Sequence, residues 1–121
     1  MEGLGKFWRS LEAALNGVVV VVRAERNARM HLLAASVALV AAIGLGVSNA
    51  ALAAVFFAII LVFTAEVVNT ALEKTLDLVE PQPNEQVRVI KDMAAGAVLV
   101  AAIGAAIIGV VVFGPYLVKA L

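Results

Sequence analysis

Glu66, Asn69, Glu73 and Asp77 recur at intervals of three and four residues. A helix through them places all four within about 80° of one face, as a polar stripe roughly 16 Å long. The stripe begins where the uncharged run from Leu32 to Ala65 ends. If that run lies in lipid, the Glu66 carboxylate lies below the headgroups, at a cost of about 2–3 kcal/mol at mid-depth and less near the edge. A single carboxylate at a membrane edge is explained by snorkelling or by pairing with a Lys or Arg, and that suffices for Glu73 or Asp77 alone. It does not explain four aligned polar residues, so the stripe is read as functional.

Two further carboxylates stand at the borders of apolar segments: Glu25 in Arg23-Ala24-Glu25-Arg26, and Asp92 directly after Lys91. Cys is absent and His31 is the single histidine, which excludes thiolate catalysis, soft-metal sites and a histidine-built metal centre. Carboxylates from several helix ends suit a hard divalent ion such as Mg²⁺. Lys91, Arg23, Arg26 and Arg29 are cations of the kind that hold phosphates, although basic residues at a membrane edge also serve topology and anionic-lipid contact. Together they suggest phosphoryl transfer, which needs positioning and charge neutralisation more than covalent chemistry. No G-x-x-x-x-G-K-[ST] loop is present, and Gly3-Leu4-Gly5-Lys6 is too short to be one. The residues alone reach a carboxylate site at a membrane edge without naming a nucleotide.

The elements that position these residues follow from hydropathy. Hydrophobic residues make up 64% of the chain and mean hydropathy is +1.05, against an apolar share of roughly 45–50% in soluble domains. The Leu32–Ala65 run is too long for one span of about 20 residues. Gly44, Gly46 and Val47-Ser48-Asn49 supply turn chemistry near its middle. The sequence therefore predicts an all-α integral membrane protein, a single domain over residues 1–121. Three transmembrane helices are expected at about 30–47, 51–72 and 92–118, with Gly114-Pro115 loosening the last turns.

In residues 7–22, Phe7, Trp8, Leu11, Leu15, Val18 and Val22 share one helical face. This is the pattern of an amphipathic helix lying in the membrane interface within the first 29 residues. Gly17 and the Val18–Val22 run leave a buried strand as the alternative. Ala97, Ala101, Ala105 and Gly109 form a small-residue ladder of the kind that lets membrane helices approach closely. Eight of the nine basic residues precede the first span or flank the connection between the second and third, and Lys119 alone falls beyond. The positive-inside rule places the N-terminus, the 76–91 connection and the site in the cytoplasm.

Glu66-Val67-Val68-Asn69-Thr70-Ala71-Leu72-Glu73 resembles the E-x-x-N-[ST]-A-[IL]-E signature of the prokaryotic diacylglycerol kinase family. Lys91-Asp92-Met93-Ala94-Ala95-Gly96-Ala97-Val98 resembles its K-D-x-x-[AS]-[AG]-A-V segment, and the likeness covers nearly the whole chain. The resemblance implies an ATP-dependent lipid kinase of the bacterial cytoplasmic membrane, homotrimeric, with sites shared between subunits. It implies Glu66 as general base toward the lipid hydroxyl, with Asn69 orienting its neighbours. Glu25 and Glu73 would bind the Mg²⁺ that accompanies ATP, and Asp77, Lys91 and Asp92 would complete the nucleotide site. Glu25-Arg26-Asn27-Ala28-Arg29-Met30-His31 is more similar to the Gram-positive branch, where undecaprenol rather than diacylglycerol is the preferred acceptor. The prolines of Glu80-Pro81-Gln82-Pro83-Asn84 prevent a transfer of ATP contacts to that loop.

A reading of another class is a small non-enzymatic oligomer, channel- or holin-like, with the Glu66 stripe lining a polar lumen. Lys91-Asp92 and the carboxylates on other elements favour the kinase. The charge asymmetry yields a direct test of topology. A cysteine replacing Ser48 is expected to react with impermeant thiol reagent from outside intact cells, and one replacing Asn84 only after permeabilisation. The reverse labelling would move the site to the wrong face for ATP.

Overall fold

A computed structural model describes residues 1–121 as four helices and no strand: α1 Glu2–Ala24, α2 Arg26–Leu45, α3 Asn49–Val79 and α4 Glu85–Ala120. α2, α3 and α4 are each long and apolar enough to cross a membrane. α3 packs most extensively on α4 and next on α2, so it is the common partner of the bundle.

α1 runs unbroken through Gly17 and the Val18–Val22 run, so the strand alternative does not hold. Each Val costs a few tenths of a kcal/mol against better helix formers. A lone strand would leave its whole backbone without partners, which is a far larger cost. The helix ends at Glu25, four residues before the border expected from sequence. Glu25 takes an extended conformation (φ −109, ψ 116) and is the single residue between α1 and α2. No glycine or proline marks this break. It is secured from α2, where Arg29 Nη1 donates to the Val22 and Arg23 carbonyls at 3.0 and 2.8 Å. A cation here answers carbonyls that the helix leaves unpaired and the negative end of its dipole. Arg29 is thus engaged in joining two helices.

The α2–α3 hairpin is built as the sequence predicts. Gly46 adopts φ 64, with its N–H on Ile43 O and that of Val47 on Ala42 O, the Schellman pattern that favours glycine. Ser48 then caps α3 by accepting from the Ala51 N–H at 3.2 Å. The second connection is shorter than expected. Helix covers most of the 76–91 stretch, leaving only Glu80–Asn84 between α3 and α4. Pro81 and Pro83 favour extended residues before them. Asn84 caps α4 through Gln86 N and Val87 N. At 31 and 36 residues, α3 and α4 are about 46 and 54 Å long, well beyond a hydrocarbon layer of about 30 Å. α4 passes through Pro115 to Ala120 without ending.

The buried face of α3 is Val55, Ala58, Val62, Glu66 and Thr70, at the three- and four-residue spacing that keeps one side inward. The α4 ladder is only partly inward. Ala101 is buried and Ala97 exposed, while Ala105 and Gly109 border a cavity.

Only 10 of 121 residues are buried, and the accessible surface is 8747 Å², against roughly 6200 Å² for a compact soluble monomer of this mass. The excess includes the α1 stripe, where Phe7, Trp8, Leu11, Leu15 and Val18 are exposed; Val21, off that stripe, is the buried residue of α1.

The Arg29 contact generates a prediction. Arg29→Ala is expected to weaken the α1–α2 joint by about 1–2 kcal/mol. Amide exchange at the end of α1 should rise about tenfold in a membrane mimic, with α3 and α4 unchanged. Unchanged exchange at residues 18–24 would show that the two carbonyl contacts do not hold the joint.

Candidate functional site

The site grows from α3, on which a buried apolar stripe turns polar toward the end of the bundle remote from Ser48. Glu66 lies about 25 Å along the helix from Asn49, and is only 3% exposed. Its partner comes from α2, with His31 Nε2 lying 3.1 Å from Glu66 Oε1. A buried carboxylate without a partner is costly, and the imidazole brings a polar group within ion-pair distance from the facing helix. His31 also borders an apolar cavity of about 190 Å³ between α2, α3 and α4. Its walls include Ala35, Ala38, Ala58, Val62 and Gly109.

One turn onward, Asn69 Nδ2 donates to Glu73 Oε1 at a long 3.4 Å. Asn69 Oδ1 and the Thr70 hydroxyl are buried without a hydrogen-bond partner. Ser10, Ser36 and Thr75 each satisfy their hydroxyl on the carbonyl four residues before. Thr70, at 2% exposure, does not. Two orphan oxygens beside Glu66 and Glu73 cost about 1–3 kcal/mol each unless a further group completes them.

The stripe ends at a polar surface cleft of about 600 Å³ between the ends of α3 and α4, lined by residues from Asp77 to Asp92. Lys91 Nζ reaches across from α4 to Asp77 Oδ1 at 2.6 Å. Arg88 binds Asp92 at 2.9 Å and also pairs with Glu85. The Arg88 guanidinium holds the Glu85 carboxyl below its usual range. Glu85, through its hydrogen bond, and then the charge of Asp92 strengthen the hold of Arg88 on its proton. Four carboxylates (Asp77, Glu80, Glu85, Asp92) face two cations (Arg88, Lys91) in this cleft. Carboxylates therefore outnumber cations, and the cleft is net negative.

Glu66, Asn69, Glu73 and Asp77 thus follow one side of α3, and Lys91 and Asp92 meet its far end. Glu25 sits at the α1–α2 break, and no group of three or more acidic or imidazole side chains encloses a metal position within one chain. Sequence reading passed over two residues here, His31 and Arg88. Arg88 had a signal in its four-residue spacing from Asp92, an ion-pair distance on a helix. His31 and Glu66 also had one, because they stand nearly equidistant from the Gly46–Ser48 turn and so level with each other in an antiparallel hairpin.

Comparison with known proteins identifies the family of the chain. The prokaryotic diacylglycerol kinase family matches residues 12–113. The chain is 35% identical to the undecaprenol kinase of Bacillus subtilis over 114 residues, covering 94% of this chain and 93% of that protein. It is 39% identical over 101 residues to the diacylglycerol kinase of Synechocystis sp., covering 83% of this chain and 58% of that longer protein. These likenesses set aside the channel- or holin-like reading. Three membrane-length helices, a family match over most of the length and two lipid kinases as relatives lead to one assignment: the chain belongs to the prokaryotic diacylglycerol kinase family and is a lipid kinase.

Proposed function

We propose that this enzyme transfers the γ-phosphate of ATP to the hydroxyl of a membrane lipid alcohol, with undecaprenol rather than diacylglycerol as the physiological acceptor. The observation that carries the reading is the unbroken path along α3. A buried carboxylate at membrane depth is joined by one rigid helix to a charged cleft at the surface. A lipid hydroxyl can reach the first and a water-soluble nucleotide the second.

In this reading Glu66 accepts the proton of the lipid hydroxyl as its oxygen bonds to the γ-phosphorus. The bond from that phosphorus to the β-phosphate oxygen breaks, and ADP leaves. Asn69 orients Glu73, and Asp77, Lys91 and Asp92 hold the nucleotide. Lys91 exchanges Asp77 for phosphate oxygens when the nucleotide enters. Glu25 and Glu73 are the residues that would hold Mg²⁺, and the all-oxygen donor set with the orphan Asn69 Oδ1 fits a hard cation. Bound there, Mg²⁺ would neutralise the phosphates.

The unpaired Asn69 and Thr70 oxygens support a homotrimer whose subunits complete one another's sites. The exposed Phe7–Val18 stripe supports α1 lying in the membrane interface on the cytoplasmic side. Undecaprenol is favoured because the B. subtilis relative matches over nearly its full length. The Synechocystis protein is matched over little more than half.

Two experiments test the proposal. With both alcohols at equal mole fraction in nanodiscs and γ-labelled ATP, label should appear chiefly in undecaprenyl phosphate. Dominant phosphatidic acid would reverse the acceptor, and no labelled lipid at all would refute the transfer. Glu66→Gln should lower single-turnover rate by about 100-fold or more with ATP affinity retained. Glu73→Gln should weaken ATP binding, with partial recovery at high Mg²⁺. Near-normal turnover of Glu66→Gln would make Glu66 a structural residue.

A further inference from the structure

Three polar contacts join different helices in this chain. Arg29 ties α2 to the end of α1, Lys91 ties α4 to α3 at the surface, and His31 ties α2 to Glu66. The last is the deepest, and its two partners are unequal. The Glu66 side chain is 5% exposed, and the His31 side chain 32%. His31 is also the one residue with a polar side chain in the wall of the apolar cavity. The imidazole therefore stands where apolar walls end and the carboxylate begins.

The type of donor matters. A guanidinium in this place would bind both carboxylate oxygens in a fork and tie up the charge. The imidazole instead brings a single nitrogen, Nε2, within 3.1 Å of Oε1. Oε2 is left for another hydrogen-bond partner. The cation nearest along α2, Arg29, is turned away onto the α1 carbonyls. A carboxylate held by one oxygen on a rigid neighbour has its rotation fixed while its second oxygen stays able to take a proton.

We infer that His31 is the positioning residue for Glu66: its Nε2, 3.1 Å from Oε1, closes onto that oxygen as substrate binds and so aims Oε2 at the hydroxyl of a lipid entering from the cavity side. This rests on the reading of Glu66 as the base. His31 itself exchanges no proton with the substrate. It sets the angle and depth at which the carboxylate meets the hydroxyl, a placement for which an error of about 1 Å costs on the order of 100-fold in rate.

The test uses the full-length protein in nanodiscs, with His31→Leu, His31→Gln, Glu66→Gln and the double variant His31→Leu/Glu66→Gln. His31→Leu should lower kcat about 10- to 100-fold with KM for ATP within about twofold of wild type. His31→Gln retains an amide donor and should recover most of the loss. In the Glu66→Gln background, His31→Leu should add nothing, because a residue acting through another has no effect once that one is gone.

A ¹⁵N spectrum of the imidazole gives a readout independent of turnover, and its Nε2 resonance should move on Glu66→Gln. Multiplying losses in the double variant, or a loss confined to KM for ATP, would overturn the inference. So would failure of Gln to restore a protein that folds. An Nε2 resonance indifferent to Glu66→Gln, with that variant inactive, would refute the His31 contact and leave the base intact. A fully active Glu66→Gln with the resonance still shifted would instead remove the base, and with it the task assigned to His31.

Discussion

A carboxylate buried between apolar helices needs a polar partner beside it, and much of this small protein is arranged around that requirement. Glu66 cannot be moved to the surface without leaving the apolar stripe of α3, and its burial without a partner would be costly. The partner is His31 at 3.1 Å, and it is available only because α2 returns antiparallel to α3 with the right register. That register is set at the other end of the hairpin by Gly46 in its left-handed conformation and by the Ser48 cap. A turn at one end of the bundle therefore fixes which side chains face each other at the other.

α3 carries the second constraint, continuity. It packs on both α2 and α4, and it leaves the apolar region without a break to reach the surface cleft. The ion pairs there are exposed, and such pairs are worth at most about 1 kcal/mol. Lys91–Asp77 holds the ends of α3 and α4 in relation to each other more than it stabilises the fold, while Arg88–Asp92 lies within α4. Weak pairs of this kind can be exchanged for phosphate, which suits the proposed nucleotide site better than tight ones would.

The bundle is thin. Its interior is a strip of Val, Ala and two polar residues, and its outer faces are large aliphatic side chains. In water this balance would not hold the helices together. In lipid the outer faces need no cover, and association depends on packing and polar contacts instead. Three interhelical polar contacts and a few small residues then weigh more than their number suggests.

The polar stripe, the hairpin turn and the membrane character were legible in the sequence because each depends on local periodicity and composition. Helical geometry fixes the common face of Glu66, Asn69, Glu73 and Asp77 wherever the helix lies. Gly46 and Ser48 announce their turn by the backbone conformation and the cap they allow. The break at Glu25 carried no local sign, because it arises where an amphipathic helix and an apolar one must part, and Arg29 seals it from six and seven residues away. The facing of His31 and Glu66, the burial of Ala101 but not Ala97, and the meeting of Lys91 with Asp77 belong to packing between helices. Sequence sets which faces a helix can offer; only the tertiary structure decides which of them another helix takes up, because that choice depends on register and rotation, which no single segment contains.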